Sequence, residues 1–203
     1  MSFYIIEDLE QGSSEWHAWR RGVIGASDAS TIMGENRFKS RPYLIKEKLG
    51  MVKEFGGNAK TREGQDLEGV ARTALEKKFS LNLKPIIVQD SVEPFLAASL
   101  DAICSNNKVV FEIKAGAKTY EHTLSSNDVP GYYVAQLQHI LMVTQRDSMV
   151  FAAYRPNQSL ITIDIRRNET YITKLRKLEK SFMNELSERG HAVQYQFVGR
   201  KVD

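Results

Sequence analysis

The segment from Leu96 to Lys114 constrains this chain more than any other, because it sets charged residues among apolar strand residues. Two apolar runs are joined by Asn106-Asn107. Asparagine tolerates positive φ, so this pair predicts a two-residue hairpin loop of the primed type. In that register Asp101 lies directly opposite Glu112, with β-carbons roughly 5 Å apart.

A metal is the simplest reason to place two carboxylates side by side. Neighbouring carboxylates repel each other and raise a pKa unless a cation lies between them. Lys114 is two residues after Glu112 and therefore shares one face of the strand with it. The alternative is a solvated strand face with a cross-strand ion pair, and the pattern alone leaves both interpretations open. The apolar run Val109-Val110-Phe111 favours a buried, functional pair.

Composition is that of an ordinary globular protein. The chain has 203 residues, 42% hydrophobic and 26% charged, which is long for one domain and short for two. No stretch approaches the roughly 20 apolar residues that span a bilayer, and the N-terminus does not resemble a signal peptide. The single Cys104 excludes an internal disulfide and predicts a reducing, cytoplasmic setting. A net charge of +3 permits nucleic-acid binding only through a local basic groove.

Periodicity and capping residues predict helices in the N-terminal third and a sheet after it. Helices are predicted after Ser13/Ser14, within Gly25–Gly34, and over Arg41–Lys48, Thr61–Phe79, Pro130–Val143 and Asn168–Arg189. Strands are predicted over Lys84–Val88, Phe95–Ile103, Val109–Ile113, and in a hairpin of Ser148–Tyr154 with Ser159–Ile165. Loops are expected at Phe55–Asn58 and between Ile113 and Pro130, and Val70 is expected on the core face of its helix. The order predicts one α/β domain with a mixed central β-sheet flanked by helices.

Asp101 followed by Glu112-Ile113-Lys114 resembles the PD-(D/E)xK nuclease core, with Leu100 in place of the usual proline. Further segments narrow the resemblance to the phage lambda exonuclease and YqaJ-like viral recombinase family. They are Trp16–Ser27, Gly64–Arg72 and Tyr133–Gln138, in the family's order and spacing. The resemblance implies a restriction-endonuclease-like core in a single nuclease domain, residues 1–203, with a helical part at about 10–80 and the catalytic sheet and helices at about 84–190.

The resemblance also implies roles for individual residues. The catalytic set that it implies is Asp101, Glu112, Lys114, Glu68 and Gln136. Asp101 and Glu112 match the principal metal ligands, joined by the carbonyl of Ile113. Glu68 matches a third acidic residue near the metals, acting directly or through water. Lys114 matches the lysine that activates the attacking water, and Gln136 matches an active-site glutamine on a helix.

A phosphate pocket is implied in the same way. Arg20 and Ser27 match the arginine and serine that hold a terminal 5′-phosphate, and Ser99 matches another serine that contacts phosphate. Such a pocket explains why relatives start at DNA ends and prefer 5′-phosphorylated ends.

The function that follows from the resemblance is a Mg²⁺-dependent 5′→3′ exonuclease acting on double-stranded DNA ends. It would use two Mg²⁺ ions, with Mn²⁺ as a substitute, and release mononucleotides. The remaining 3′ overhang would serve single-strand-annealing recombination. Relatives form a ring-shaped homotrimer around DNA and hand the overhang to a single-strand annealing protein. The expected location is the cytoplasm of a bacterial host, from a phage or prophage gene.

Two other functions stay open at this point. One is another nuclease with the same core, such as a structure-specific endonuclease or a repair nuclease resembling the RecB nuclease domain. The other is a non-catalytic module that binds DNA ends, against which the intact acidic set argues.

Single residues also have structural interpretations. Glu68 fits the solvated face of a charged helix, and Gln136 and Gln138 fit polar positions on an amphipathic helix. Arg20 could pair with Glu15 or cap a helix end, and Ser27 could be an N-cap. Trp16 and Trp19 are expected to be core or interface anchors rather than base-stacking platforms. The four histidines show no metal-binding spacing and are expected to be structural or exposed: His17, His122, His139 and His191.

Overall fold

The computed structural model describes residues 3–52, 59–190 and 200–202, which form both helices and strands. The helices are α1 Ser14–Gly22, α2 Ala29–Ile32, α3 Arg41–Lys48, α4 Ala59–Phe79, α5 Ala117–Ser126, α6 Val134–Thr144 and α7 Glu169–Glu188. The strands are β1 Phe3–Ile6, β2 Ile24–Gly25, β3 Leu83–Asp90, β4 Leu96–Cys104, β5 Val110–Ala115, β6 Ser148–Tyr154, β7 Ile161–Arg166 and β8 Arg200–Val202. None of the helices in these ranges is long and apolar enough to cross a membrane.

Side-chain caps start several helices where the sequence predicts them. The Ser13 hydroxyl accepts the backbone N–H of Trp16 at 3.1 Å, and this bond begins α1. Asn168 caps α7 in the same way through the N–H of Tyr171. Helix α3 has the predicted bounds, since Ser40 caps it and a proline occupies its first turn.

The strands of the described residues form one mixed sheet. Their order is β7-β6-β5-β4-β3-β1-β8, and β2 pairs with β4 beside this path. The β5–β6 and β2–β4 pairs are parallel, while the other pairs are antiparallel. Helices α6 and α7 pack on one face through residues such as Leu137 and Phe182, and α4 packs on the other through Ala71 and Leu75. The predicted mixed sheet flanked by helices is confirmed.

Strand β4 has two different partners along one of its edges. Antiparallel pairing with β3 occupies one edge from Ala97 to Cys104. On the other edge, β2 pairs with Leu96 and Ala97, whereas β5 pairs with Ala102 and Ile103. In the described part of the chain, residues 98–101 of β4 therefore face a gap between β2 and β5.

A β-bulge lies in the same part of β4. Lys84 pairs with Ile103 but Ile86 pairs with Leu100, so Asp101 and Ala102 together oppose Pro85. Leu100 and Ile103 consequently reach the same core cluster although they are three residues apart. Bulges of this kind redirect side chains next to functional sites.

The β4–β5 hairpin has the predicted register but not the predicted loop. Ala102 faces Phe111 and Ile103 faces Val110, as expected. The Cys104 N–H donates to the Val109 carbonyl, which leaves a four-residue loop, and only the second asparagine has positive φ. The first asparagine explains the longer turn, because its side-chain oxygen accepts the N–H of Lys108.

Other predictions about local structure were wrong or incomplete. Helix α5 lies in an expected loop, and it is held by the buried side chains of Tyr120 and Thr123. Val70 is 52% exposed, because the buried face of α4 is narrow and centres on Ala71 and Leu75. The sequence did not predict strands β1 and β8. The expected loop at Phe55–Asn58 lies outside the described residues.

His139 has the structural position expected for it. It is fully buried and bonds to a Glu179 carboxylate oxygen at 2.7 Å and to the Ala97 carbonyl at 2.9 Å. These bonds connect α6 to α7 and to β4. His17 contacts Trp16 edge-on, His122 is exposed on α5, and His191 lies outside the described residues.

A buried ion pair fixes the N-terminal helices around β2. The Lys48 ammonium contacts the Asp28 carboxylate at 2.7 Å and donates to the carbonyls of Arg20 and Val23 at 2.9 and 2.6 Å. The three donors of the ammonium thus meet three acceptors. Asp28 also accepts the Gly25 N–H, so one charged pair joins α3, the end of α1 and the turn after β2.

Loss of this ion pair should destabilise the protein in a pH-dependent way. Burial alone raises the pKa of Asp28, but Lys48 and Arg20 outweigh it and lower the pKa to about 2, from 3.8. The carboxylate therefore stabilises the fold fully above pH 3.8, and this contribution is lost as the pH falls towards 2. Asp28→Asn should lower the free energy of unfolding by about 3–5 kcal/mol at neutral pH, since it leaves a buried ammonium uncompensated.

Urea denaturation of both proteins at several pH values measures the difference. The exposed variant Asp164→Asn is the control and should unfold like the wild type. A gap between wild type and Asp28→Asn that stays constant down to the lowest pH would contradict the assignment.

Candidate active site

The predicted acidic residues meet where β4 and β5 separate. Asp101 uses a carboxylate oxygen to accept the backbone N–H of Ile113 at 2.7 Å. The last backbone pair of the hairpin joins Ala102 to Phe111. Beyond it, the Asp101 side chain rather than the β4 backbone bonds to β5. Glu112 is only 1% exposed. One of its oxygens accepts from Lys114 at 2.6 Å and from Gln136 of α6 at 2.5 Å.

The second carboxylate oxygen of Glu112 is buried, and it has no hydrogen-bond partner among the described residues. A buried polar atom of this kind normally has a partner, and its absence calls for an explanation. Burial, reinforced by the charge of Asp101, raises the pKa of Glu112 to about 8. Burial also raises the pKa of Asp101. A cation between the two carboxylates would relieve both effects.

Lys114 remains charged in this setting. Burial lowers its pKa, but the negative charges of Glu112 and Asp101 raise it by more, so the net shift is upward. The ammonium also lies 5.2 Å from the centre of the Tyr133 ring, which favours a cation. The side chain is therefore held as a fixed positive charge beside the carboxylates.

Glu68 approaches the same centre from α4. Its carboxylate contacts the Arg72 guanidinium at 2.6 Å. Burial, with the nearby charge of Asp101, raises the pKa of Glu68, and Arg72 opposes this. All five residues predicted as the catalytic set are thus gathered around the end of the β4–β5 hairpin.

The donor set suits a hard divalent cation. Magnesium takes oxygen ligands and keeps several waters, so a few carboxylates suffice. The described residues contain no group of three His, Cys, Asp or Glu side chains arranged to hold an ion by themselves. Asp101 and the unbonded oxygen of Glu112 would therefore hold only part of the shell, completed by a backbone carbonyl and water.

The predicted phosphate-binding residues form a second cluster. Arg20 donates to the Ser27 hydroxyl at 2.6 Å and lies 3.6 Å from the Asp28 carboxylate. The Arg20 guanidinium also covers the Trp16 ring at 5.1 Å, and the Trp16 indole N–H donates to the Ser99 hydroxyl at 3.2 Å. The three predicted residues are thus brought together, and Trp16 connects two of them.

The two clusters meet on one strand. Ser99 and Asp101 are two residues apart on β4, so their α-carbons are separated by roughly 7 Å. Both lie in the part of β4 that faces the gap between β2 and β5. The gap thus places the cluster of Arg20, Ser27 and Ser99 next to the paired carboxylates.

Some participants were not assigned from the sequence. Arg72 and Tyr133 stand in the motifs that carry the resemblance, yet neither received a role. The spacing of Arg72 four residues after Glu68 could have indicated an ion pair on one helix face. The Arg20 guanidinium, for which a pair with Glu15 was the alternative, lies against Ser27 and Asp28.

Known proteins resemble this chain in sequence. The family model of the YqaJ-like viral recombinase domain matches residues 15–147. The uncharacterized protein YqaJ of Bacillus subtilis is 25% identical over 186 residues, which cover 89% of this chain and 58% of that protein. An African swine fever virus protein is 27% identical over 169 residues, covering 69% of this chain and 48% of its own length. The chain thus spans about half of these curated relatives.

Solved structures share the fold. The alkaline exonuclease LHK-Exo of Laribacter hongkongensis has a TM-score of 0.75 at 22% identity, covering 87% of this chain and 94% of that one. Its complex with dAMP gives a TM-score of 0.76 at the same identity and coverage. A phage-related exonuclease of Haemophilus somnus gives 0.57 at 16% identity, covering 83% and 96% of the two chains. The chain thus shares the fold of the alkaline exonuclease LHK-Exo. Because the family model matches residues 15–147, which is most of its length, the chain belongs to the YqaJ-like viral recombinase family.

Proposed function

We propose that this protein is a Mg²⁺-dependent 5′→3′ exonuclease that digests one strand of double-stranded DNA from its ends. The observation that carries the proposal is a buried oxygen of Glu112, beside Asp101 and Lys114, that no group in the described part of the chain hydrogen-bonds. A site with two carboxylates and a fixed ammonium suits hydrolysis of a phosphodiester, where negative charge develops on phosphate oxygens.

Each residue has a role in this proposal. Asp101 and Glu112, with the Ile113 carbonyl, would hold Mg²⁺, and Glu68 would act directly or through water. A bound divalent cation supplies a more acidic water and stabilises charge on the phosphate; two ions are proposed, and Mn²⁺ would substitute. Lys114 would orient the attacking water and offset the charge on the phosphate. Gln136 would keep the Glu112 carboxylate in place.

The phosphate cluster would give the reaction its direction. Hydrolysis adds water to phosphorus and breaks the bond to the 3′ oxygen, which leaves as a hydroxyl. The released mononucleotide leaves behind a strand that again ends in a 5′-phosphate. Arg20, Ser27 and Ser99 would bind that terminal phosphate in every cycle, because arginine and hydroxyl donors suit phosphate oxygens. The complex of LHK-Exo with dAMP is compatible with a mononucleotide product.

The biological setting is proposed from the family. The 3′ overhang would pass to a single-strand annealing protein for recombination, and the enzyme would work as a ring-shaped homotrimer around duplex DNA. The setting would be the cytoplasm of a bacterial host that carries a phage or prophage. Residues 1–203 are taken as a single nuclease domain, because β2 of the N-terminal part pairs directly with β4 of the catalytic sheet. Light scattering coupled to gel filtration measures the oligomeric state.

Loss of a metal ligand or of the lysine should abolish digestion. Asp101→Asn and Lys114→Gln should each reduce the rate on a 5′-phosphorylated linear duplex by at least about 100-fold, since each removes charge that the reaction needs. EDTA should stop the wild type, and Asp164→Asn should remain active. Activity retained by Asp101→Asn in Mg²⁺ would show that the site is wrongly placed.

The same assay separates exonuclease from endonuclease. A covalently closed circular duplex should survive incubation with the wild type, because it offers no end. Cutting of the circle would favour a structure-specific or repair endonuclease instead.

Arg20 should determine the preference for phosphorylated ends. The Arg20→Ala variant should digest 5′-phosphorylated and 5′-hydroxyl duplexes at similar rates, because the phosphate loses its charged donor. The neighbouring exposed Arg21→Ala is the matched control and should keep the wild-type ratio. The measurement is the ratio of initial rates on the two end-labelled duplexes, and an unchanged ratio in Arg20→Ala would remove this role.

A further inference from the structure

Arg72 connects the helix and the strand that carry two of the acidic residues. Its Nη2 donates to a Glu68 carboxylate oxygen at 2.6 Å, one helical turn away on α4. Its Nε donates to the backbone carbonyl of Asp101 on β4 at 2.9 Å. The side chain is only 20% exposed, so these bonds are made largely out of solvent.

The strand needs this donor at Asp101. Asp101 belongs to the bulge opposite Pro85, which has no backbone N–H to give. Backbone pairing with β5 begins only at Ala102. The carbonyl of Asp101 therefore takes its hydrogen bond from α4, while the carboxylate of the same residue takes one from Ile113.

The two positively charged side chains of the site, Lys114 and Arg72, contact different acidic residues. Lys114 contacts Glu112 and shares its strand. Arg72 contacts Glu68 and the main chain of Asp101, which belong to different elements. The guanidinium of Arg72 donates from two separate nitrogens held in one plane, whereas a lysine ammonium donates from a single nitrogen and would lose that geometry.

We propose that Arg72 is a positioning residue that sets Glu68 and Asp101 at the spacing a shared divalent cation requires. This inference rests on the proposed function, since it names the group that organises the same metal site. Arg72 touches neither the cation nor the DNA, and it acts through the two acidic residues. Residues that orient metal ligands in this way typically contribute 10- to 100-fold to metal affinity or activity.

The competing interpretation is an ordinary ion pair on a helix surface. The chain contains a matched example, because Arg189 contacts Glu185 at the same four-residue spacing and at 2.9 Å. That arginine is 54% exposed. Arg189→Gln is therefore the control for loss of an arginine charge from such a pair.

The test is calorimetric titration of MnCl₂ into the full chain without DNA, at one pH, for wild type, Arg72→Gln, Arg72→Lys and Arg189→Gln. Arg72→Gln should raise the Kd for Mn²⁺ by about 10-fold or more. Arg72→Lys should fail to restore it, because the single ammonium nitrogen of lysine cannot occupy the separate Nε and Nη2 positions from which Arg72 donates. Arg189→Gln should bind like the wild type. In digestion assays, Arg72→Gln should need more Mg²⁺ for half-maximal rate, with the KM for DNA unchanged.

The outcomes separate this inference from the function on which it rests. If the wild type binds Mn²⁺ and digests DNA while Arg72→Gln keeps the wild-type Kd, the inference is wrong and the proposed function stands. Full rescue by Arg72→Lys would also overturn it, because charge alone would then suffice. A lower melting temperature of Arg72→Gln with an unchanged Kd would reduce Arg72 to a structural role. A wild type that binds no Mn²⁺ would overturn the proposed function together with the inference.

Discussion

The arrangement of the site depends on a strand that changes partners along one edge. Between its pairings with β2 and with β5, strand β4 has a gap at residues 98–101 in the described structure. Main-chain groups at such a gap need other partners. Side chains supply two of these bonds, since Asp101 accepts the Ile113 N–H and Arg72 donates to the Asp101 carbonyl. The side chains that replace the missing backbone bonds around the gap, Asp101 and Arg72, therefore belong to the candidate active site or contact it directly.

Burial of like charges is the second constraint. Glu112, Asp101 and Glu68 all have raised pKa values, first because they are buried and, for Glu112 and Glu68, also because they repel a neighbouring carboxylate. Lys114 and Arg72 offset part of this cost, and within the ranges 3–52, 59–190 and 200–202 one Glu112 oxygen has no hydrogen-bond partner. A divalent cation would stabilise buried carboxylates whose charge is only partly offset, and this is the physical basis of the proposed metal site.

Local sequence predicted much of the fold because its signals were local. The caps Ser13 and Asn168 each bond to the backbone N–H three residues later. A short segment of sequence therefore contains the whole interaction. The hairpin register followed from placing Asn106-Asn107 at the centre of the turn. The failures had non-local causes. Strand β1 is short and pairs with residues 87–90, and α5 is held by contacts of Tyr120, whose hydroxyl donates to the distant Ser159 carbonyl.

The sequence by itself determined the chemical inventory: two carboxylates and a lysine on one hairpin, and an arginine with two serines that the family resemblance assigned to phosphate. These assignments depend on residue type and short spacing, which the chain order preserves. Only the tertiary structure decided that Ser99 meets Trp16 across 83 residues and that Arg72 bridges α4 to the bulge in β4. It also decided which oxygen of Glu112 stays unbonded. Those features depend on how helices dock on the sheet, and docking is set by the summed packing of distant apolar residues rather than by any short segment.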